Sequence, residues 1–284
     1  MKTETIDLYE YFSFEREGVK AGTLTCFRHG DMTEMRTKKI RPAILVIPGG
    51  GYGFVSQREG QPIAMRYFAD GFDAFVLNYD IAPVSYPAQI VQAGMAMLYL
   101  RREAKNLDID AEHIAAVGFS AGGHLLGCIS LLWDDPALKA LFAGDCEKIR
   151  PDASVYSYPV ISSGENISHG GSFKNFCGDK VKKEDYSLEN KVRASAAPSF
   201  IWATTTDDCV PVENSVLLYS ALHKAGVPAE LHLFSEGSHG LSTCDIEVND
   251  CEPQGAVYSH VRHWLDLSVE FLRARGFCVH FVER

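Results

Sequence analysis

Residues 118–122 read Gly-Phe-Ser-Ala-Gly, which places Ser120 in a short turn between two glycines. The residues before it are mostly apolar and partly β-branched, which predicts a buried strand over 113–117. The residues after it carry apolar side chains at helical spacing, which predicts a helix over 123–133. Ser120 is therefore expected in a sharp, strained strand-to-helix turn, whose glycines let the strand and the helix meet. This context is typical of a nucleophile elbow.

The rest of the chain repeats this strand–helix alternation. Short apolar runs follow amphipathic stretches without an internal repeat, a low-complexity tract or a linker, so we expect a single α/β domain with a mostly parallel central sheet flanked by helices. An antiparallel hairpin is predicted at the start, with strands over 8–14 and 22–29. Further strands are predicted over 42–47, 73–79, 153–156, 199–203 and 229–234, and helices over 61–70, 88–104, 212–225 and 256–275.

Two segments depart from the alternation. Residues 157–195 are rich in Gly, Ser, Asn and Lys with little regular pattern, and so long a stretch predicts a lid or substrate loop inserted into the domain. Residues 277–282 alternate like an edge strand. Such a strand would pair either with another element of the chain or with another subunit. The second alternative would make the protein a homo-oligomer.

Composition excludes several classes of partner. The formal net charge of −10 argues against binding to nucleic acid or to an anionic membrane surface, since both require positive charge. The N-terminal residues include acidic side chains and lack the apolar core of a signal peptide, and no apolar run approaches the ~20 residues of a membrane span. We therefore expect a cytoplasmic protein that acts on small molecules.

The eight cysteines are scattered and form no C-x-x-C pair, so they are expected to be reduced thiols. Pairing of Cys244 with Cys251 within one loop is the alternative. Neither the cysteines nor the histidines form a cluster with metal-ligand spacing, so no metal and no cofactor is expected.

A serine hydroxyl needs a base to remove its proton, and the base needs a group that orients it. Where such an elbow occurs, the acid and then the histidine follow the serine along the chain, each after a strand. His239 follows the predicted strand over 229–234 and has small, flexible neighbours, so it is the expected base. His124 is expected to point away from the cleft, and His169, within 157–195, is a candidate for the substrate pocket.

The acid is expected between the serine and the histidine, directly after a strand. Asp207 and Asp208 both follow the predicted strand over 199–203. Two adjacent side chains cannot both face one imidazole, so one of them would bind His239. The other would turn outward or cap the helix that starts near Pro211.

A glycine loop over 47–54 follows the predicted strand over 42–47. Without side chains, its backbone N–H groups can approach a developing oxyanion, and the amide of Ala121 would supply a second donor. Each such donor is typically worth ~3 kcal/mol in the transition state. A phosphate-binding loop is the alternative, but neither a G-x-G-x-x-G nor a Walker pattern is present.

Together these segments resemble the α/β-hydrolase superfamily, in particular its acetyl-xylan-esterase-like bacterial branch, which is related to the carboxylesterases and hormone-sensitive-lipase-like enzymes. The resemblance extends from about residue 41 to about residue 241 and rests on 48–52, 78–79, 82–83, 86–87, 118–124, 207–215 and 237–240. It implies an α/β-hydrolase fold with Ser120 as nucleophile, His239 as base and Asp207 as the orienting acid. The Asp-x-x-Val-Pro spacing that recurs in similar hydrolases favours Asp207 over Asp208. The implied oxyanion hole is formed by the following residues: Gly50, Gly51 or Tyr52 with Ala121.

Two positions depart from the family pattern. Pro48 stands where many relatives carry His, which would leave the backbone of the oxyanion hole intact but remove a side chain that helps to orient it. Asp80 stands where many relatives carry Arg, which is expected to change the charge of the cleft.

The function expected from this resemblance is that of a serine esterase that hydrolyses small acyl esters, with acetylated xylo-oligosaccharides as the best-motivated substrate. An amidase or peptidase, such as an arylformamidase or a dipeptidyl-peptidase-like enzyme, is the first alternative, and a non-catalytic binding module is the second. Tyr86 is a further candidate for substrate binding. It belongs to six loop aromatics that could present flat faces to a sugar or instead cover the core: Tyr52, Phe54, Tyr86, Tyr158, Phe173 and Phe176.

Overall fold

The computed structural model describes residues 1–249 and 255–283, and a nine-stranded sheet runs through this part of the chain. The order across the sheet is β1-β2-β4-β3-β5-β6-β7-β8, and β9 pairs with the start of β3. The strands from β4 to β8 in this order are parallel, whereas β1, β2 and β9 pair antiparallel with their neighbours. The strands are β1 Lys2–Asp7, β2 Thr23–Arg28, β3 Thr37–Ile47, β4 Asp73–Asn78, β5 Ile109–Phe119, β6 Ala153–Ser157, β7 Ser199–Thr204, β8 Ala229–Phe234 and β9 His280–Glu283.

Helices cover both faces of the sheet, as predicted. The helices are α1 Leu8–Phe12, α2 Gln61–Ala69, α3 Ala88–Leu107, α4 Ala121–Leu131, α5 Pro136–Phe142, α6 Gly170–Cys177, α7 Glu213–Lys224, α8 Gly255–Val261 and α9 Trp264–Arg273. Buried side chains of α3, α4 and α7 belong to the core on one face, and those of α2 and α9 to the core on the other.

Strand β3 shows why the sheet forms where the sequence predicts it. Its residues alternate between the two cores: Leu45 and Ile47 face one, whereas Ile44 and Val46 face the other. All four side chains are fully buried. A strand covered on both faces must be apolar at every position, which explains the uninterrupted apolar run.

Two predicted elements are wrong. The segment 8–14, predicted as a strand, contains helix α1, and the strand that pairs with β2 is β1. The Asp7 carboxylate accepts the amide hydrogens of Tyr9 and Glu10, so it caps a helix at the point where the apolar alternation suggested a strand. The single helix predicted over 256–275 is two helices, α8 and α9, which are separated at residues 262–263.

The predicted edge strand near the C-terminus is confirmed as β9, and it pairs within the chain. His280 lies opposite Ile40 of β3, and Glu283 lies opposite Thr37. The segment 157–195 is more regular than expected, because it contains α6 and two 3₁₀ turns, Lys183–Tyr186 and Leu188–Asn190. Its role as a lid stays a prediction.

The described cysteines are free thiols, and the considered pairing of Cys244 with Cys251 lies outside the described residues. Within residues 1–249 and 255–283, no helix is both long enough and apolar enough to cross a membrane.

Candidate active site

Ser120 occupies the sharp turn between β5 and α4, with φ 52° and ψ −119°. A left-handed backbone at a serine costs on the order of 1–3 kcal/mol and persists only where the surroundings impose it. The flanking glycines allow the turn to close. A Cβ on Gly122 would lie 2.1 Å from the Ile47 carbonyl oxygen, and one on Gly118 would lie 2.5 Å from the Gly122 carbonyl oxygen. The strained geometry expected from the sequence is therefore present.

The side chains of Ser120, His239 and Asp207 form one hydrogen-bonded series. His239 Nε2 lies 2.8 Å from Ser120 Oγ, and His239 Nδ1 lies 2.7 Å from Asp207 Oδ2. An ionised carboxylate can only accept, so the neutral imidazole carries its proton on Nδ1. Nε2 is then free to accept the serine hydroxyl proton, which is the arrangement that general-base catalysis requires.

Of the two candidate acids, Asp207 faces the imidazole. Its side chain is 1% exposed, and its Oδ1 accepts the amide hydrogens of Cys209 and Val210. Asp208 is exposed, and its Oδ1 lies 3.4 Å from the backbone nitrogen of His239. It does not cap α7, whose N-cap residue is Val212.

The glycine loop passes directly beside the serine. A Cβ on Gly49 would lie 2.9 Å from Ser120 Cβ and 2.6 Å from the Phe119 carbonyl oxygen, so only glycine fits at this position. The backbone of the glycine loop therefore packs directly against the turn that carries Ser120.

The backbone amides predicted to form the oxyanion hole have no hydrogen-bond acceptor among the described residues. Within the described residues, no group accepts a hydrogen bond from the amides of Gly50, Gly51 or Tyr52. Ala121 is the first residue of α4, where the amide has no partner inside the helix. Among the described residues, these four amides therefore lack protein acceptors, and their role as oxyanion donors stays a prediction.

Glu59 is a buried carboxylate that the sequence did not indicate. It joins the glycine loop to residues 235–245, the segment that contains His239 and is called the histidine loop below. Its Oε2 accepts the Gly49 amide at 2.8 Å, and its Oε1 accepts the Tyr158 hydroxyl at 2.7 Å. The Tyr158 oxygen in turn accepts the Ser242 amide, and its ring meets the His239 ring edge-on at 5.0 Å. Glu59 lies in a polar stretch with no pattern that indicates burial, so only the folded chain reveals it.

We expect Glu59→Gln to lower kcat about tenfold or more, because a hydrogen bond to a charged group is worth about 1.5–3 kcal/mol. An amide has only one oxygen to accept the two donors, so either Gly49 or Tyr158 loses its partner. Steady-state hydrolysis of p-nitrophenyl acetate measures the effect, and Glu236→Gln is the matched control because Glu236 is an exposed carboxylate in the histidine loop. Unchanged kcat in Glu59→Gln would contradict the positioning role.

His124 lies beneath the glycine loop, buried in the interior. Its Nε2 lies 3.0 Å from the Tyr186 carbonyl oxygen and its Nδ1 lies 2.8 Å from the Tyr52 hydroxyl. A carbonyl only accepts, so Nε2 carries the proton and Nδ1 accepts from Tyr52. Burial lowers the pKa of His124 to about 4, against the opposing effect of the Tyr186 carbonyl.

This buried neutral histidine predicts a loss of stability on acidification. Between the unfolded pKa of 6.5 and the folded pKa of about 4, the unfolded chain binds a proton that folded His124 does not. The free energy of unfolding therefore falls as the pH drops through this window, by about 2 kcal/mol between pH 7.5 and pH 5 on account of His124.

His124→Gln tests this prediction, because an amide can accept from Tyr52 and donate to Tyr186 without titrating. Urea unfolding of both proteins at pH 7.5 and pH 5 should show a smaller loss in the variant, by about 2 kcal/mol. Equal losses in the two proteins would show that His124 is not the responsible group.

His169, predicted to bind substrate, lies against the glycine loop. Its Nδ1 lies 2.7 Å from Ser172 Oγ at the start of α6, and a Cβ on Gly51 would lie 3.7 Å from its ring. Burial lowers the pKa of His169, and nearby His239 acts in the same direction. Asn175 on α6 donates to the Gly51 carbonyl at 2.9 Å, so this helix braces the loop.

Tyr86, the other predicted substrate-binding residue, takes part in a network behind α6. Its hydroxyl donates to Asp135, which also accepts the Tyr186 hydroxyl, and its ring meets that of Phe176 edge-on. Its role in substrate binding stays a prediction.

The expectation that Asp80 changes the charge of the cleft is wrong. Asp80 is buried and accepts the amides of Lys20 and Ala21 and the side-chain amide of Gln92, so it anchors the N-terminal segment instead of charging the cleft. For the six loop aromatics, which the sequence left open between sugar stacking and core packing, the structure favours core packing in most cases. The buried ones are Tyr52, Tyr158, Phe173 and Phe176, whereas Phe54 is 61% exposed.

Pro48 is the other departure from the family pattern, and the side chain of Tyr79 fixes its backbone. The Tyr79 hydroxyl donates to the Pro48 carbonyl at 2.6 Å. The glycine loop therefore has a fixed starting point without a histidine side chain at position 48.

Comparison with known proteins shows which family has this fold. A family model described as BD-FAE matches residues 32–162. The crystal structure of an acetyl ester-xyloside bifunctional hydrolase from Caldicellulosiruptor lactoaceticus is 35% identical, with a TM-score of 0.76, and the alignment covers 90% of this chain and 88% of that one.

Two curated relatives point to the same family. Endo-1,4-beta-xylanase B of Butyrivibrio fibrisolvens is 36% identical over 73% of this chain and 33% of its own length. The acetylxylan esterase of Xylanibacter ruminicola is 32% identical over 70% of this chain and 41% of its own length. The chain thus spans less than half the length of either curated relative. The near-complete alignment with the Caldicellulosiruptor hydrolase and the mostly parallel sheet establish that the chain belongs to the α/β-hydrolase esterase family.

Proposed function

We propose that this protein is a serine esterase that hydrolyses small acyl esters, acetyl esters above all, through an acyl-enzyme intermediate. The observation that carries the proposal is the hydrogen-bonded series from Ser120 through His239 to Asp207. The unpaired amides beside Ser120 add the electrophilic part that such a site requires.

In the first half of the reaction, Ser120 Oγ attacks the ester carbonyl carbon while His239 Nε2 takes its proton. The Asp207 carboxylate stabilises the imidazolium that forms. The carbonyl oxygen becomes an oxyanion, which accepts hydrogen bonds from Ala121 and from an amide of the glycine loop, each worth ~3 kcal/mol. Collapse of this intermediate breaks the bond to the alcohol oxygen, which takes the proton from His239.

In the second half, water replaces the departed alcohol. His239 Nε2 removes a proton from this water, whose oxygen attacks the acyl carbon bound to Ser120 Oγ. The second tetrahedral intermediate uses the same amide donors. Its collapse releases the carboxylic acid, returns the proton to Ser120 and restores the starting state.

For the alcohol, we propose an acetylated xylo-oligosaccharide. Support comes from the names of two relatives, an acetylxylan esterase and an acetyl ester-xyloside hydrolase. We assign the choice of alcohol to the segment 157–195, because its helix α6 braces the glycine loop through Asn175. His169, the N-cap residue of α6, lies beside the same loop. We treat the described chain as one hydrolase domain with this segment as its substrate-facing insertion.

Turnover of p-nitrophenyl acetate, butyrate and octanoate tests the acyl preference. We expect kcat/KM to be highest for acetate and about tenfold lower or more for octanoate. Acetate release from acetylated xylo-oligosaccharides tests the alcohol, and p-nitroacetanilide tests the amidase alternative. A preference for octanoate would overturn the acetyl assignment, and faster hydrolysis of the anilide than of the ester would favour an amidase.

A further inference from the structure

Asp110, His113 and His280 meet at the end of the sheet opposite the candidate active site. Asp110 Oδ2 lies 2.9 Å from His113 Nδ1 and 3.4 Å from His280 Nε2. One possible ligand atom from each of the three side chains lies within 4.8 Å of those of the other two. Asp110 is near the start of β5 and His280 is the first residue of β9, so the cluster joins two distant parts of the chain.

We propose that these three side chains bind a divalent transition-metal ion of the zinc type, separately from the ester-hydrolysing site. Two imidazole nitrogens and one carboxylate oxygen form a common ligand set for Zn²⁺. Ligand atoms of a tetrahedral zinc ion lie about 3.4 Å apart. Asp110 Oδ2 lies 2.9 Å from His113 Nδ1 and 3.4 Å from His280 Nε2, which is close to this spacing. Zinc–ligand distances are about 2.0–2.2 Å, so small side-chain movements complete the site.

The ligands are oriented by their surroundings before any ion binds. The Glu112 amide donates to Asp110 Oδ1 at 2.9 Å, which leaves Oδ2 to face the histidines. The His113 ring packs edge-on against Phe277 at 5.2 Å. A Cβ on Gly276 would lie 2.8 Å from His113 Nε2, so the absent side chain at this position gives the ring its space.

A bound ion would be accessible to water on one side, and it would attach the C-terminal strand β9 more firmly. The His280 side chain is 52% exposed, so water can complete the coordination. All four residues of β9 are exposed, and β9 pairs only with β3 among the described strands. A metal bridge from β5 to β9 would therefore add a second attachment for the C-terminal strand. Sequence spacing could not indicate this site, because His280 lies far along the chain from Asp110 and His113.

Zinc titration by calorimetry, on protein without a histidine tag, tests the proposal. We expect one Zn²⁺ per wild-type chain, with binding at least about tenfold weaker in His280→Ala and in Asp110→Asn. The matched control is His232→Ala, because His232 Nε2 also lies 3.4 Å from a carboxylate, that of Glu230, and belongs to no three-ligand cluster within the described residues. This control should bind zinc like the wild type.

Two further measurements distinguish a specific, preorganised metal site from weak binding to surface histidines. Zinc should slow amide hydrogen exchange in β9 of the wild type but not of His280→Ala. One equivalent of zinc should leave p-nitrophenyl acetate turnover unchanged, since Ser120 lies roughly 30 Å away along β5. A negative result for zinc binding therefore leaves the proposed esterase activity untested, and a negative result for ester hydrolysis does not bear on the zinc site.

The proposal is overturned if the wild type takes up no zinc at micromolar concentrations. It is also overturned if His280→Ala and Asp110→Asn bind zinc as tightly as the wild type, which would assign the binding to other surface histidines. Equal protection of β9 in the wild type and His280→Ala would remove the proposed structural role.

Discussion

Replacing Ser120 by alanine should lower kcat for p-nitrophenyl acetate by ~10⁵-fold or more, to a rate close to background hydrolysis. The variant lacks the hydroxyl oxygen that lies 2.8 Å from His239 Nε2, so no acyl-enzyme can form on residue 120. Alanine keeps the Cβ that the strained turn already accommodates, so the variant is expected to fold. A stopped assay at high enzyme concentration measures the residual rate.

The control for this variant is Ser238→Ala, because Ser238 is an exposed serine adjacent to His239. Its turnover should stay close to that of the wild type. Undiminished turnover in Ser120→Ala would mean that another group attacks the ester, and the proposed mechanism would fail.

Replacing Asp207 by asparagine should lower kcat by ~10⁴-fold while KM changes little. The asparagine amide can donate to His239 Nδ1, which favours the tautomer that carries its proton on Nε2. That tautomer cannot accept the proton of Ser120. The variant also removes the negative charge that stabilises the imidazolium, so both effects act on the chemical step.

Asp208→Asn is the matched control for this prediction, because Asp208 is the exposed neighbour whose carboxylate lies 3.4 Å from the backbone nitrogen of His239 and not against its ring nitrogens. Its kcat should fall by less than about threefold, as expected for a weak surface contact. A larger loss in Asp208→Asn than in Asp207→Asn would reverse the assignment of the acid. Small, equal losses in both would mean that neither carboxylate acts on the histidine.

Much of the sheet could be predicted from the sequence, because its parallel strands are buried on both faces. In the buried half of β3, residues 42–47, Ile44 and Val46 face one core and Leu45 and Ile47 face the other. Every position in this half is therefore apolar, and such runs are visible in the sequence. The same holds for the turn at Ser120, where the two glycines are required by backbone contacts. The positions of candidate acids and of His239 after strands could also be predicted, whereas the choice of Asp207 over Asp208 depended on the resemblance to similar hydrolases.

Contacts between distant segments could not be predicted. Glu59 and Asp80 look like ordinary surface carboxylates, yet both are buried because backbone amides from other loops satisfy them. The strand predicted over 8–14 is wrong for a local reason. The alternation of apolar residues there also suits a strand, but Asp7 caps a helix at its start. Loop aromatics such as Tyr52 and Phe176 carry no sequence signal that separates core packing from substrate binding.

The most direct test of the central claim is covalent labelling by an alkyl p-nitrophenyl phosphonate, followed by mass spectrometry of the intact chain and its peptides. The phosphonyl group mimics the tetrahedral intermediate and is transferred to the activated nucleophile. We expect one adduct per chain, on the peptide that contains Ser120, with none in Ser120→Ala and much slower labelling in His239→Ala. An adduct on a different residue, or unlabelled Ser120 in a preparation that hydrolyses esters, would contradict the assignment of Ser120 as the nucleophile.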